Sequence, residues 1–272
     1  GQLWILSYNA LRIFDRPTDG ILHSSTTSVP FDRNRMFSTL LRDREGNLWL
    51  GAFDAGYHIS FCPEELSGHS LPFIKEALGF ANINCMHEDE GDVLWFNQER
   101  NGIGLYDPDS GTYNLHPYSQ KRNVEINFIA RSRSPNTVWT ASAFVPTVFR
   151  AQRLGMDILF TDTLLIAHDG AETGHVTGIL EDAVGRLWVM TERKLFVFKP
   201  DGHPLAAVTN LPGNVSALCE DKQGRIWVSD ATGRLSCMRT SPTGIRPTTR
   251  YKLPLSPHDR IRHLCCDSTG HF

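Results

Sequence analysis

The sequence has no large net charge, no long apolar run and no paired metal-binding spacing. Its 27 Lys and Arg against 30 Asp and Glu leave a formal charge of −3, so a polyanion meets no basic footprint and nucleic-acid binding is disfavoured. No stretch approaches the ~20 apolar residues needed to span a bilayer; the best, from Gly155, is broken by Asp157 and Asp162. The 11 His include no H-x-x-x-H or HExxH arrangement and the 6 Cys no C-x-x-C pair, so neither metal nor cofactor is expected. No Ser-His-acid set or nucleophile elbow appears, and no catalytic residue is expected. No secretion signal opens the chain. It begins Gly1-Gln2-Leu3-Trp4-Ile5 and stops at Gly270-His271-Phe272, both reading as the interior of structural elements, so the ends are expected to be cut from a longer protein.

What is present is one unit repeated along the whole chain. The six tryptophans, Trp4, Trp49, Trp95, Trp139, Trp188 and Trp227, are separated by 45, 46, 44, 49 and 39 residues. Around them recur DREGNLWLG from Asp43, DEGDVLWF from Asp89, DAVGRLWV from Asp182 and DKQGRIWV from Asp221. Twelve residues before the Trp stand Phe37, Ile83, Val176 and Val215; nine before it stand Leu40, Met86, Ile179 and Leu218. The fourth copy is degenerate: counted from Trp139, Arg133 falls where Asp belongs and Asn136 where Gly belongs. Asn tolerates a left-handed backbone and Pro135 presets the turn, so the hairpin can survive. The third copy places Gly91 one residue early.

Apolar segments rich in Val, Ile, Phe and Trp, punctuated by Asp and Gly, read as strands. Asp accepts hydrogen bonds from the turn amides and Gly takes the positive-φ position. A ~45-residue period holds four strands, the size of a β-propeller blade. Helical solenoids need i, i+3, i+4 spacing over ten or more residues, and only Phe73 to Phe80 looks even briefly helical. The fold expected is all-β: a propeller of four-stranded antiparallel blades over residues 1–272, six-bladed or part of a seven-bladed ring, with each Trp strand wedged between neighbouring blades. Gly1 shares a column with Gly270, so residues 1 to about 35 are expected to supply three strands of a blade. Ile261 to Asp267 would supply its innermost strand and seal the ring.

The pattern D-x-x-G-x-(L/I)-W-apolar, seen best in DREGNLWLG at Asp43, resembles the two-component regulator propeller repeat through nearly the whole chain, the fourth unit being weak. The resemblance implies a sensor region of a hybrid two-component system, periplasmic, and not an enzyme. Two propellers there precede an immunoglobulin-like domain, a membrane helix and a histidine kinase. A neighbouring propeller, the immunoglobulin-like domain and a second copy in a homodimeric receptor are the partners it implies, and oligosaccharides are the ligands. The repeat's Asp and Gly are turn chemistry and scaffold.

If the segment before D-x-x-G is the inner strand, the loops after Trp and those leading into the inner strands share the opposite face, around a concavity suited to a ligand. The candidates there are Tyr8, Asn9, Arg35, Asp54, Asn82, Gln98, Arg100, His175, Arg193, Asn214, Asp230 and Arg260. Amides and guanidinium groups suit sugar hydroxyls or a carboxylate, so an oligosaccharide, acidic if several Arg converge, is the expected ligand. Wet loops are polar for a blander reason, and a protein-interaction scaffold or a propeller lyase or glycosidase are the rival readings. The sialidase turn motif has a different register, with Gly two and Trp five after Asp; here the separations are three and six. The cysteines are expected to be thiols, Cys219 and Cys265 sharing one inner-strand column.

Overall fold

A computed structural model describes residues 2–7, 10–15, 24–28, 37–45, 47–52, 56–61, 66–70, 82–99, 102–117, 125–166, 174–208, 215–230, 234–241 and 244–252. Among them the chain is entirely strand and turn, in two compact units, Gly1–Gln120 and Lys121–Phe272. Phe73 to Phe80, Ile261 to Asp267, Cys62, Cys265 and Cys266 lie outside the described residues.

Each unit holds three sheets, and in each sheet consecutive strands pair antiparallel as a meander. In the first unit, sheet one has three strands, Gln2–Ser7, Ala10–Asp15 and Ser24–Ser28, as the one-strand-late start predicts. Sheet two runs Phe37–Arg42, Leu48–Ala52, Gly56–Phe61, Leu66–Ser70, and sheet three Met86–Glu88, Leu94–Gln98, Gly102–Asp107, Thr112–Pro117. In the second unit, sheet four runs Phe128–Arg131, Thr137–Ala141, Thr147–Leu154, Asp157–Leu165. Sheet five runs Val176–Glu181, Leu187–Thr191, Leu195–Phe198, Pro204–Val208, and sheet six Val215–Glu220, Ile226–Asp230, Arg234–Ser241, Gly244–Lys252.

The Trp strands do not alternate. All five residues of Leu48–Ala52, Leu94–Gln98, Leu187–Thr191 and Ile226–Asp230 are buried, so both faces of these strands are covered. Trp188 packs in one cluster with Val215, Ile226, Val228 and Met238 of the next sheet, and Trp49 meets Tyr106 of sheet three edge-on at 5.7 Å. The indoles therefore fill seams between sheets, as expected. Burying ~200 Å² of indole at ~25 cal/mol/Å² contributes on the order of 5 kcal/mol per copy.

The motif aspartate does more than close its turn. In sheet five, Asp182 Oδ1 accepts the amides of Val184 and Arg186, while Oδ2 accepts the Arg186 guanidinium at 2.6 Å and the Trp188 indole N–H at 2.8 Å. The same indole-to-carboxylate bond joins Trp49 to Asp43 at 2.9 Å, Trp95 to Asp89 at 2.8 Å and Trp227 to Asp221 at 2.8 Å. A separation of six residues across a tight turn brings the indole back over its own turn, so this bond fixes the spacing. At the fourth position of the turn Gly185 and Gly224 have φ of 80° and 72°. In the third copy Asp92 takes that place with φ 58°, which is how the early Gly91 is accommodated.

The fourth copy departs from the column count. Ser132 N donates to Thr137 O where Asp182 N donates to Arg186 O, so Ser132, not Arg133, holds the aspartate's place and the turn is one residue longer. Asn136 takes the left-handed position with φ 52°, as expected. With no motif carboxylate, the Trp139 indole donates instead to Glu181 of sheet five at 2.5 Å.

That glutamate belongs to a second recurring contact. Glu88, Glu181 and Glu220 each stand just before the motif aspartate, and each accepts a turn amide of the preceding sheet in its own unit. The donors are Arg44 at 3.1 Å, Arg133 at 3.2 Å and Ala183 at 2.7 Å. Arg44 and Arg133 also reach the next sheet's turn carbonyls, at Asp89 (2.8 Å) and Asp182 (2.6 Å). Burial pushes the Glu88 carboxyl up, against the lowering effect of the Arg44 amide and guanidinium.

Asp182→Ala removes the acceptor that an indole, a guanidinium and two amides share; the expected loss is about 3 kcal/mol, read as a lower urea midpoint at unchanged slope. Ser132→Ala at the degenerate turn is expected to cost under about 1 kcal/mol, and equal losses at the two sites would show that the carboxylate is not the organiser.

For Asp221, burial works upward, but hydrogen bonds from Trp227 and Arg225 outweigh it and hold the carboxyl below the ordinary range. Its folded pKa being depressed, the stability it contributes is full above about pH 4 and is lost as pH falls through the folded value. Asp221→Asn is expected to flatten that acid limb in denaturation midpoints measured from pH 6 downward; an unchanged limb would contradict the assignment.

Candidate functional site

The end of each sheet opposite the D-x-x-G turn is built where the lead-in segment meets the loop after the Trp strand. In three copies the first strand is bulged against the Trp strand at its start, between Phe37 and Thr39, Val176 and Gly178, and Val215 and Ala217. The skipped residue is Ser38, Thr177 or Ser216, a hydroxyl column. Ser38 Oγ donates to the carbonyls of Gly51 and Ile83, and Ser216 Oγ lies 2.9 Å from Ser229 Oγ. At Gly51 an added Cβ would stand 2.6 Å from the Ile83 carbonyl oxygen, so only glycine lets sheets two and three approach here.

In the first unit the lead-in residue Asn82 and the loop residue Glu99 are joined twice: Glu99 N donates to Asn82 O at 2.9 Å, and Asn82 Nδ2 donates to Glu99 Oε2. Beside them Asn97 Oδ1 accepts the amides of Asn84 and Cys85, at 2.8 and 2.9 Å, doing the work of a strand carbonyl. Gln98 is fully buried, and neither atom of its amide has a partner among the described residues; Asn82 Oδ1 and Asn97 Nδ2 are in the same state. Unmet buried amides cost about 1–3 kcal/mol each unless a water or ligand meets them.

In the second unit the lead-in residue His175 meets the loop after Trp188 in the same way. Glu192 N donates to His175 O at 3.0 Å, bringing His175 beside Glu192 and Arg193. The ring's Nδ1–H donates to Ala143 O at 2.8 Å, which leaves Nε2 as the accessible acceptor of the neutral ring. Ala143 N in turn donates to Asn127 Oδ1 at 2.7 Å. Phe144, 64% exposed, stands edge-on to His175 at 6.2 Å. Arg193 is exposed. Asp230 is buried and accepts the amide of Arg234 at 3.1 Å, closing the hairpin between the second and third strands of sheet six.

Of the sequence candidates, the structure thus brings Asn82 to the loop after Gln98 and His175 to the loop carrying Arg193, while Asp230 has a turn-closing bond. Tyr8, Asn9, Arg35, Asp54, Arg100, Asn214 and Arg260 lie outside the described residues. Phe144 and Asn127 were not among the candidates; their signal was the lengthened, drifted fourth copy itself, whose loop reads Ala-Ser-Ala-Phe-Val-Pro. Among the described residues no three His, Cys, Asp or Glu gather as a metal site, and no helix is long and apolar enough to cross a membrane. Among the described residues Cys85, Cys219 and Cys237 are thiols in no disulfide, the last two buried around Trp227.

Gln98→Met removes two unmet buried polar atoms at similar volume. It is expected to raise stability by about 1 kcal/mol, measured by urea denaturation, and a loss of stability would mean that a bound water or ligand meets the amide.

Residues 211–232 match the family described as the two component regulator propeller. No curated protein matches the sequence. Among solved structures, the Mitotic Checkpoint Complex contains a chain with TM-score 0.76 at 11% identity, covering 99% of this chain and 81% of that one. The extracellular domain of a hybrid two component system from B. thetaiotaomicron has TM-score 0.61 at 20% identity, covering 91% of this chain and 32% of that one. The extracellular domain of a one component system from B. thetaiotaomicron has TM-score 0.58 at 17% identity, covering 99% and 42%. The fold is an all-β propeller type built of four-stranded antiparallel blades, and the match to the two component regulator propeller lies at residues 211–232.

Proposed function

We propose that this chain is a single ligand-sensing propeller from the extracytoplasmic, periplasmic region of a two-component receptor. The observation that carries the reading is the regulator-propeller repeat at residues 211–232 on a chain whose blades match such extracellular domains. The chain spans 32% and 42% of those two domains, so the neighbouring propeller, the immunoglobulin-like domain, the kinase and the dimer belong to the proposal. The ligand is an oligosaccharide, held by the exposed His175 and Arg193 with Phe144 as apolar wall; an acidic sugar suits Arg193. Binding shifts the propeller against its neighbours and biases the receptor between two states. The chain itself performs no chemistry in this reading.

The test is calorimetric titration of the receptor's whole sensor region against a panel of neutral and acidic oligosaccharides. One member is expected to bind, and His175→Ala and Arg193→Gln are each expected to weaken it about tenfold, or ~1.4 kcal/mol. A second reading, a docking scaffold, is favoured by the outer strand Asp157–Leu165, whose Leu159, Phe160 and Leu165 are 50%, 42% and 51% exposed. Silence across the panel, together with self-association that Phe160→Glu abolishes, would replace the first reading by the second.

A further inference from the structure

Between sheets four and five, near the D-x-x-G turns and away from the loop-built end, lies a cavity of about 210 Å³ lined by Ser134, Trp139, Arg150, Glu181, Lys199 and Pro200 among others. Its origin is the lost aspartate of the fourth copy. In copies five and six a guanidinium lies over the motif indole, Arg186 at 5.8 Å and Arg225 at 5.5 Å from the ring centre. Each is neutralised by the fully buried side chain of its motif Asp at 2.6 Å. Copy four keeps the guanidinium but changes its source. Arg150, directly opposite Trp139 in the third strand, lies 5.7 Å from that ring. The residues opposite Trp188 and Trp227 are the uncharged Val197 and Cys237.

The neutralising carboxylate, however, is missing. Ser132 stands in its place, and among the described residues Arg150 meets the Ser134 hydroxyl and the exposed Asp162, whose carboxylate is 3.5 Å away. Glu181 faces the cavity but is committed to the Trp139 indole and the Arg133 amide. On the opposite wall no described side chain pairs with the Lys199 ammonium. Among the lining residues themselves two cations stand against one engaged carboxylate; Asp162, which pairs with Arg150 at 3.5 Å, is not part of the lining and is half-exposed. A cavity below the ~300 Å³ usual for drug-sized ligands takes a small molecule.

We propose that this seam cavity binds a small monocarboxylate of sugar-acid size, its carboxylate standing in for the missing motif aspartate between Arg150 and Lys199 and its body against Pro200 and the Trp139 edge. A guanidinium over an indole, with an ammonium on the facing wall, grips a carboxylate and gives a neutral sugar little.

The test uses the 272-residue chain, D-glucuronate as probe and D-glucose as its neutral counterpart, with binding followed by calorimetry. Glucuronate is expected to bind and glucose not, with Lys199→Gln and Arg150→Gln each weakening glucuronate at least tenfold. Both groups are solvent-facing, and circular dichroism of each variant verifies the fold. Equal binding of the two sugars, no binding of glucuronate up to 50-fold excess over a ~1 mM affinity, or binding that Arg193→Gln abolishes and Lys199→Gln spares would overturn it. The last outcome would place the anion at the loop-built end and leave the sensor reading standing, so the two proposals fail separately.

Discussion

One hydrogen bond, from the indole to the carboxylate of its own turn in the blades of Trp49, Trp95, Trp188 and Trp227, sets the terms for the rest of the structure. A buried aspartate needs donors on both oxygens. The turn amides serve one oxygen, and the Trp N–H, joined by an arginine in sheets five and six, serves the other. The indole is thereby fixed in orientation as well as depth, and its faces are presented to the seam. Hydrophobic burial supplies most of the energy, but the polar bond chooses the rotamer and the register in which that burial occurs.

The seams are polar at the turn side and apolar within. Glutamates before the aspartate accept amides from the preceding sheet, so adjacent sheets of a unit are keyed by directional bonds where side-chain packing alone would allow sliding. In the function proposed above, recognition falls to the loops at the other end, where His175, Phe144 and Arg193 stand on short, hydrogen-bonded connections.

Much of this was legible in the sequence. The tryptophan spacing gave the number and size of the sheets, the strand-late start gave the three-stranded first sheet, and Asn136 gave the left-handed turn residue. The fourth turn was misplaced by one residue because counting back from Trp139 assumes a constant turn length, while the backbone pairing of Ser132 with Thr137 shows an extra residue absorbed there. The Glu-Asp pairs were visible as letters but not as a contact, since their partner sits a full period away and nothing local marks it. Phe144 escaped because an exposed aromatic in a drifted loop breaks the columns by which the other candidates were chosen.

The glutamate link has a direction, and the fifth period carries it at both joints: Glu181 accepts an amide of the turn behind it, and Ala183 offers its amide to Glu220 ahead. Such a unit is chemically closed at both joints, so excising or duplicating one whole period orphans no buried group. Copies beginning with Arg42 or Arg131 in the glutamate's position do not share this property. Recombination within a gene of this design would therefore be tolerated at some joints and punished at others, and blade number becomes a quantity that evolution can edit unevenly along the chain.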